Sequence, residues 1–290
     1  MTPASPRISV CLPALNEQET IGAICSTIRE RLMLAKPIVH DLVVIDSGSD
    51  DNTVEVAERS GAIVHRASEL MPAFGPSLGK GDTLWRSLSV ISGDIVVWLD
   101  SDTRNFTAQF VTALVEPLVR EPSLMMTKAY YERPLRGEVN HSPLEGARVT
   151  ELVARPLLNM FFPELVDIVQ PLSGEYAARV PVVRELPFFA GYGVEIGLLI
   201  DLTRVFGPRA LSQVNLGRRE HRNRATIELG TTAFEVIHAV LTRADELGRL
   251  KLGEALPTNL LQFLPVGTGT VEARPRHAVV EERPPMTELN

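Results

Sequence analysis

The chain has little of what would tie it to an oxidising compartment or a membrane. Its 290 residues include two cysteines, Cys11 and Cys25, and neither is spaced with histidine for a metal site, so both are predicted to be reduced core thiols. No uninterrupted apolar run approaches the ~20 residues of a membrane span, and residues 1–7 lack the apolar stretch of a signal peptide. We therefore expect a cytoplasmic protein with no membrane span.

Basic residues are also in short supply. Lys and Arg number 29 against 36 Asp and Glu, which gives a formal charge of −7. A general nucleic-acid surface needs a concentrated basic face for the phosphates, so that class of function is excluded, whereas a local basic pocket is not. We expect no nucleic-acid partner.

Two nucleotide-binding fingerprints are missing. There is no Gly-X-Gly-X-X-Gly after the first predicted strand and no Gly-X-X-X-X-Gly-Lys-Ser/Thr, which argues against a dinucleotide fold and a P-loop. Hydrophobic residues make up 44% and charged residues 22%, as is ordinary for a folded globular chain. The length fits one large α/β unit or two lobes that share a cleft.

What the sequence does contain is centred on Asp100-Ser101-Asp102. The apolar run 95–99 stops at these two carboxylates, and five apolar residues in a row are typical of a strand covered on both faces, as in parallel α/β sheets. Carboxylates just beyond such a strand lie where open α/β sheets bind ligands, and hard oxygen ligands suit Mg²⁺ or Mn²⁺. Most Asp-X-Asp tripeptides are solvated loop residues, so this site needs support from the rest of the chain.

That support begins with three more strand-like runs, at 8–12, 42–46 and 62–65. Of the four runs, three are followed by helical segments. This alternation predicts an α/β fold with a doubly wound, mostly parallel sheet.

Polar residues follow these runs at several points. Asn16 and Glu17 come after the first strand and are predicted to face the ligand edge, although a helix cap and a favourable charge at the helix start explain them equally well. Lys80 lies between Gly79 and Gly81, where backbone and ammonium can both approach a phosphate; an isolated Gly-Lys-Gly is more often a flexible turn.

These residues carry a resemblance to a known family. Four segments of the chain resemble the donor half of a GT-A glycosyltransferase. They are Pro13-Ala-Leu-Asn-Glu17, Asp46-Ser-Gly-Ser49, Gly79-Lys80-Gly81 and Asp100-Ser-Asp102. Further segments, in the same order along the chain as in the family, resemble the retaining glucosyl-3-phosphoglycerate synthases. They are 146–156, Gln170-Pro-Leu-Ser-Gly-Glu-Tyr176, Gly191-Tyr-Gly-Val-Glu-Ile-Gly197, Glu220-His-Arg-Asn-Arg224 and Glu281-Glu-Arg-Pro-Pro-Met286. One departure is Glu145-Gly-Ala before Arg148, where the family has a longer glycine-rich stretch.

The resemblance implies a metal-dependent transfer of glucose from UDP-glucose to the 2-hydroxyl of 3-phosphoglycerate, with the α configuration kept. It implies Mg²⁺ or Mn²⁺ held by Asp102 and His221. His221 taken alone would more often be an ordinary surface or core histidine. The implied donor-binding residues are Pro13, Ala14, Leu15, Glu17, Ser47, Lys80, Asp100, Ser101, Asp102, Tyr192 and Glu195, with catalytic roles for Glu195, Lys80 and Asp102.

The acceptor side is assigned to a second set of residues, which are Gly146, Ala147, Arg148, Thr150 and Asn223. Arg148, Glu151 and Arg155 fall on one predicted helical face, so a ladder of ion pairs is the alternative to binding. We predict acceptor binding for Arg148 and a structural role for Arg155. For Glu195, a buried and satisfied carboxylate is the alternative to contact with the sugar.

The resulting division is a donor half at 1–130, an acceptor-binding and dimerisation half at 131–264, and a Pro-rich tail at 265–290. The resemblance implies a homodimer, and the tail is predicted to be mobile unless it orders against a neighbouring subunit. Two other functions stay open at this point. One is a mannosyl-3-phosphoglycerate synthase that uses GDP-mannose, and the other is a nucleotide-sugar-binding regulator without turnover.

Overall fold

A computed structural model describes residues 5–132, 147–220 and 225–289. Three predicted site residues, Gly146, His221 and Asn223, lie outside these described residues. Within them, no helix is long and apolar enough to cross a membrane.

The strands follow the predicted runs closely in the first hundred residues. In chain order they are β1 (Ile8–Ala14), β2 (Asp41–Asp46), β3 (Ile63–Arg66), β4 (Ile95–Trp98), β5 (Met126–Glu132), β6 (Tyr176–Arg179), β7 (Phe188–Phe189), β8 (Leu211–Arg218), β9 (Asn259–Gly267), β10 (Thr270–His277) and β11 (Glu282–Arg283). Across the described residues, seven of them form one sheet in the order β3-β2-β1-β4-β6-β5-β8. Only β6 runs antiparallel to its neighbours, so the predicted mostly parallel sheet is confirmed.

Helices cover both faces of this sheet. The α-helices are α1 (Ile21–Ile28), α2 (Thr53–Arg59), α3 (Lys80–Ser87), α4 (Gln109–Arg120), α5 (Arg155–Phe161), α6 (Val180–Arg184), α7 (Val194–Phe206) and α8 (Leu229–Glu246). The helix α1 forms because Ile21, Ile24 and Ile28 recur at helical spacing, and all three are buried.

The central strands are apolar throughout because each of their faces has its own core. Cys11 and Trp98 point to one side, where they join apolar residues of α3, α7 and α8. Leu12 and Val97 point to the other side and join α1 and α4. Both cysteines are free thiols as predicted, and burial raises the pKa of Cys11 and of Cys25 to about 12.

The C-terminal region forms two structures that the sequence did not suggest. The strands β9 and β10 make a separate antiparallel hairpin. Beyond it, β11 pairs with β7 of the same chain, and Ala278 is fully buried. The prediction of a mobile tail is therefore wrong for residues 278–289, because the short strand finds backbone partners that composition does not reveal.

Candidate active site at the carboxyl edge of the sheet

A cleft of about 290 Å³ opens where β1 lies between β2 and β4. This is the switch point of the doubly wound sheet, the position at which such folds bind ligands. The cleft is lined by Pro13, Ala14, Leu15, Glu17, Ser47, Gly79, Lys80, Asp100, Ser101, Asp102 and Tyr192. Every residue predicted to contact the donor lies in this lining except Glu195, and Gly79 was not predicted.

Lys80 is held between two carboxylates at the start of α3. Its Nζ lies 2.7 Å from Asp100 Oδ1 and 2.7 Å from Glu195 Oε1. Burial disfavours the charged amine, but the attraction of the two carboxylates outweighs burial and raises the pKa of Lys80 well above its ordinary value. Lys80 therefore contributes a positive charge to the cleft lining. Glu195 is 3% exposed and lies behind Lys80 rather than in the lining.

The glycines around Lys80 have a packing role as well. A Cβ on Gly81 would collide with the Phe189 carbonyl, and one on Gly79 would lie 3.0 Å from the Ala190 carbonyl oxygen. The backbone of Asp82 donates to that same Ala190 carbonyl at 2.8 Å. The Gly-Lys-Gly segment is thus the first turn of a helix pressed against a neighbouring strand, and not a flexible turn.

Arg219 connects the two aspartates from beneath. It is 1% exposed, and its Nη2 lies 2.6 Å from Asp102 Oδ1 and 3.2 Å from Asp100 Oδ2. Its Nε lies 3.0 Å from Glu175 Oε1. Burial opposes the charge of Arg219, but Glu175 and the other acidic groups outweigh it and raise its pKa further. Arg219 therefore holds both aspartates in one place.

Glu175 and Tyr131 complete the layer below the cleft. Tyr131 donates its hydroxyl to Glu175 Oε2 at 2.7 Å, and Arg219 Nη1 donates to the same hydroxyl at 3.2 Å. Burial raises the pKa of Glu175 even though the Arg219 charge opposes that rise. At Gly174 a Cβ would collide with the Asp100 carboxylate. The aspartates thus rest on a buried polar base that leaves no room for a larger residue.

The loop after β1 is fixed to two neighbouring loops. The Ser101 hydroxyl donates to the Pro13 carbonyl at 2.6 Å, and the Thr20 hydroxyl donates to the Ser101 carbonyl at 2.6 Å. Asn16 has a positive φ of 58°, a conformation that asparagine tolerates better than most residues, and its amide donates to Ser49 Oγ at 2.9 Å. Asn16 therefore shapes the loop that presents Glu17 to the cleft.

Of the two predicted metal ligands, Asp102 is among the described residues and His221 is not. Asp102 is in the lining and is partly exposed, and a carboxylate there has the hard oxygen chemistry that Mg²⁺ and Mn²⁺ prefer. The described residues contain no group of three or more His, Cys, Asp or Glu that could hold a metal ion. Glu220, which precedes His221 in the chain, is fixed to the loop after Asp102: its carbonyl accepts from Arg104 N, and its amide donates to Asn105 Oδ1, both at 2.9 Å.

Of the predicted acceptor residues, the three that the structure describes, Ala147, Arg148 and Thr150, are not part of the cleft lining. Ala147 and Thr150 are buried, and Arg148 is partly exposed with its Nη1 2.6 Å from Thr226 Oγ1. The ion pair within this segment joins Glu151 to Arg155, with Oε2 and Nε 3.0 Å apart. Arg155 therefore has the structural partner that was predicted for it. Among the described ion pairs, none joins Arg148 to Glu151, as the alternative of an ion-pair ladder would require.

Sequence reasoning missed Arg219, Glu175 and Tyr131 as parts of this site. Arg219 directly precedes the Glu220-His-Arg-Asn-Arg224 block, and Glu175 lies inside the Gln170-to-Tyr176 block. Their position in those blocks was the available signal. Nothing in the spacing said that they would meet beneath Asp100 and Asp102.

The fold and the site together define a glycosyltransferase of the GT-A type. The family described as "Glycosyl transferase family 2" matches residues 9–164, about half of the chain. The relatives are more specific. A glucosyl-3-phosphoglycerate synthase of Petrotoga mobilis is 43% identical over 97% of this chain and 86% of its own length, and one of Mycobacterium tuberculosis is 44% identical over 98% and 86%.

Solved structures agree with these relatives. The Mycobacterium tuberculosis glucosyl-3-phosphoglycerate synthase in complex with Mn²⁺, UDP and glucosyl-3-phosphoglycerate is matched at a TM-score of 0.85 and 42% identity, over 99% of this chain and 93% of that one. A mannosyl-3-phosphoglycerate synthase from Rubrobacter xylanophilus is matched at a TM-score of 0.88 and 35% identity, over 98% and 90%. The chain belongs to the glucosyl-3-phosphoglycerate synthase family of glycosyltransferases, and the predicted fold, family and enzyme class are confirmed.

Proposed function

We propose that this chain transfers the glucosyl group of UDP-glucose to the 2-hydroxyl of 3-phosphoglycerate, with retention and with Mg²⁺ or Mn²⁺. The observation that carries this proposal is the cleft at the switch point, where the fixed cation of Lys80 and the carboxylate of Asp102 line one small cavity. The relatives add support, since the Mycobacterium tuberculosis enzyme was solved with Mn²⁺, UDP-glucose and phosphoglyceric acid.

The donor residues have distinct roles in this proposal. The loop from Pro13 to Glu17 and Ser47 holds the uridine and ribose, and Lys80 binds the diphosphate. Tyr192 contacts the sugar from the second half of the chain, and Glu195 acts on the donor through Lys80. We propose the corresponding division into a donor half at 1–130, an acceptor and dimerisation half at 131–264 and a tail at 265–290.

The residues present fit a divalent cation through the oxygen chemistry of Asp102, which lines the cleft. Asp102 and His221 are the proposed ligands. A bound Mg²⁺ or Mn²⁺ supplies charge neutralisation for a diphosphate leaving group. Arg219 would keep Asp102 oriented while one carboxylate oxygen stays bonded to its guanidinium.

In this proposal Lys80 acts as a fixed charge and not as a proton carrier. Its pKa is raised by Asp100 and Glu195, so it keeps its proton throughout the physiological pH range and acts as a fixed charge that stabilises the leaving diphosphate. A retaining transfer by same-face attack needs no base on the opposite side of the sugar ring. The acceptor proton then goes to the departing phosphate oxygen, and Glu195 keeps Lys80 in place.

The acceptor carries a phosphate and a carboxylate, so its site needs donors for oxyanions. Arg148 provides a planar guanidinium that is partly exposed and already oriented by Thr226 at 2.6 Å. Gly146, Ala147, Thr150 and Asn223 are proposed to complete this site.

The direct test is to incubate the enzyme with 3-phosphoglycerate and either UDP-glucose or GDP-mannose, with Mn²⁺ or with excess chelator. We expect α-glucosyl-3-phosphoglycerate, identified by nuclear magnetic resonance, only with UDP-glucose and metal. Undiminished transfer in chelator contradicts the metal requirement, and binding of UDP-glucose without any product favours a regulator.

Mannosyl transfer from GDP-mannose is the second candidate. It is favoured by the TM-score of 0.88 to the Rubrobacter xylanophilus mannosyl-3-phosphoglycerate synthase, slightly above the 0.85 to the Mycobacterium tuberculosis enzyme. The same incubation decides, because a preference for GDP-mannose would replace the proposed donor.

We further propose that the enzyme is a cytoplasmic homodimer. One face of the β9–β10 hairpin is exposed, with Phe263 at 61% and Val271 at 64%, whereas Gln262 on the other face bonds the Ile227 carbonyl at 2.8 Å. A two-stranded hairpin alone is marginal in water. A second copy would cover it. Sedimentation analysis should give a dimer for the parent and monomers for Phe263→Glu, while cell fractionation should recover the enzyme with its cytoplasmic substrates.

A further inference from the structure

The C-terminal segment 278–286, called the strap here, lies across the back of the site. Its strand β11 pairs with β7, and the carbonyl of Glu281 accepts from Ala190 N at 2.8 Å. The strand β7 and Ala190 lead directly into Gly191-Tyr192-Gly193, which contributes Tyr192 to the cleft. The strap therefore touches one wall of the donor cleft from behind.

The strap is also joined to the Lys80 helix by a buried ion pair. Arg283 Nε lies 2.7 Å from Asp82 Oδ1, and Arg283 Nη2 lies 3.1 Å from Asp82 Oδ2. Asp82 is fully buried, two residues after Lys80, and its Oδ2 also accepts from Leu78 N at 2.9 Å. The Trp85 indole on the same helix donates to the Pro284 carbonyl at 2.8 Å.

A third connection runs through Glu235 on α8. Its Oε2 accepts from Tyr192 N at 2.6 Å, and its Oε1 accepts from Val279 N at 3.0 Å. A Cβ on Gly191 would collide with both Glu235 and the Val279 carbonyl. One buried carboxylate thus joins the strap to the backbone of a cleft residue.

We propose that Arg283 is a positioning residue for glycosyl transfer, acting through Asp82 on the turn that presents Lys80 and, with the rest of the strap, on the loop that presents Tyr192. Lys80 needs such support because it begins its helix, and its ammonium must stay within 2.7 Å of two carboxylates. Arg86 Nε also bonds Asp82 Oδ2, at 3.1 Å, but among the described residues only Arg283 bonds both carboxylate oxygens. This bidentate contact constrains the angle of the carboxylate, which a single ammonium cannot do.

The neighbouring residue on the strap supplies a matched control. Glu282 points to the opposite side, where Arg243 Nη1 lies 2.7 Å from its Oε1, and Arg243 also pairs with Asp201 on α7. This ion pair holds the same strand but does not contact the Lys80 helix. Loss of Glu282 therefore removes strap stability without removing the link to Asp82.

The test rests on the proposed function and compares Arg283→Met, Arg283→Lys and Glu282→Gln. We expect Arg283→Met to raise the KM for UDP-glucose about tenfold and to lower kcat several-fold, with the 3-phosphoglycerate KM within twofold of the parent. Arg283→Lys should recover part of the loss. Glu282→Gln should lower Tm but leave both constants within twofold.

Hydrogen exchange supplies a readout that does not depend on the reaction. Faster exchange at 78–82 and 190–193 in Arg283→Met, but not in Glu282→Gln, is expected. The proposal is overturned if Arg283→Met or Arg283→Lys keeps the donor KM and kcat and the exchange rates of the parent, or if Glu282→Gln changes them equally. A parent that binds no UDP and transfers no glucose would refute the proposed function, and the exchange comparison would still decide the role of Arg283.

Discussion

Acidic residues lie at both ends of the central strands, and the two ends hold them differently. At the amino end, Asp41 accepts from the hydroxyls of Ser9 at 2.7 Å and Ser92 at 2.6 Å, and Asp94 accepts from Arg7 N at 2.8 Å. Burial of Asp41 acts to raise its pKa, but these hydrogen bonds outweigh it and lower the pKa. The donors are mostly neutral and come from adjacent strands and loops.

At the carboxyl end, Asp100 and Asp102 rest instead on the buried cations Lys80 and Arg219. Cations that bind Asp100 and Asp102 from beneath leave both carboxylates partly exposed in the cleft lining, where a ligand can reach them. The difference teaches that a cationic partner becomes informative when the carboxylate it holds also lines a cleft, since the buried Asp82 and Asp201 have cationic partners as well.

The largest effect on the carboxyl end of the sheet is expected from a substitution of Arg219. We expect Arg219→Met to lower the free energy of unfolding by about 3 to 5 kcal/mol, because Glu175 is left as an uncompensated buried charge. Denaturant titration measures this, and the double variant with Glu175→Gln should recover a large part. If the single and double variants are equally unstable, Glu175 is not the partner that makes Arg219 necessary.

Asp102 gives the next largest effect, on activity. Asp102→Ala should reduce transfer by roughly two to three orders of magnitude, since a charge-neutralising cation at the leaving group is worth several kcal/mol. UDP-glucose affinity, measured by calorimetry with Mn²⁺, should fall with it. A variant that keeps its Mn²⁺-dependent donor affinity would remove Asp102 from the proposed metal ligands.

A substitution of Arg148 tests the proposed acceptor site. A hydrogen bond to a charged group contributes about 1.5 to 3 kcal/mol, so Arg148→Ala should raise the KM for 3-phosphoglycerate by roughly one to two orders of magnitude. Donor affinity should barely change. Thr226→Val, which removes the hydroxyl that contacts Arg148, is the control for orientation and should have a smaller effect on the same constant.

Lys128, beneath the carboxyl end, predicts a pH effect on stability. It is 1% exposed, donates to the Ser173 carbonyl at 2.5 Å, and burial lowers its pKa to about 8 from 10.5. Between those values the unfolded chain holds a proton that the folded chain has lost, so the free energy of unfolding rises with pH.

The rise should be about 1 kcal/mol between pH 8 and 9, relative to Lys128→Met. Above pH 9 the thiols of Cys11 and Cys25 act in the opposite direction, because the unfolded chain deprotonates first. Parallel slopes for the parent and Lys128→Met in chemical denaturation would show that Lys128 is not the titrating group.

The smallest effect is expected at the amino end. Asp41→Asn should cost about 1 kcal/mol of unfolding free energy, because hydrogen bonds from two serines lose their charged acceptor. The kinetic constants should match those of the parent. A changed donor KM in this variant would contradict the assignment of the amino end to structure alone.

The sequence predicted the sheet well and the support beneath the site poorly. The strands that lead to Asp46 and Asp100 were predicted to within one or two residues. Fully buried strands are recognisable in a sequence because their β-branched and aromatic residues form a continuous run. The Gly79-Lys80-Gly81 segment was less well predicted, because Gly81 is required by the Phe189 carbonyl and not by a flexible turn.

The cleft lining was also predictable, because loops after adjacent parallel strands must meet at one edge. Arg219 was not, since no local pattern encodes a partner more than a hundred residues away. The prediction for the strap was wrong for the same reason. Its composition indicates mobility, and only the fold brings Arg283 to Asp82.

The close approach of the Asp100 carboxylate to Gly174 has an evolutionary meaning. A glycine codon reaches an alanine codon by one base change, and the added methyl group would meet the Asp100 carboxylate while the two apolar cores stay as they are. A duplicated gene could therefore lose sugar transfer in a single step and keep a folded product. Gly174 is therefore one position at which a single base change could separate the fold from the activity.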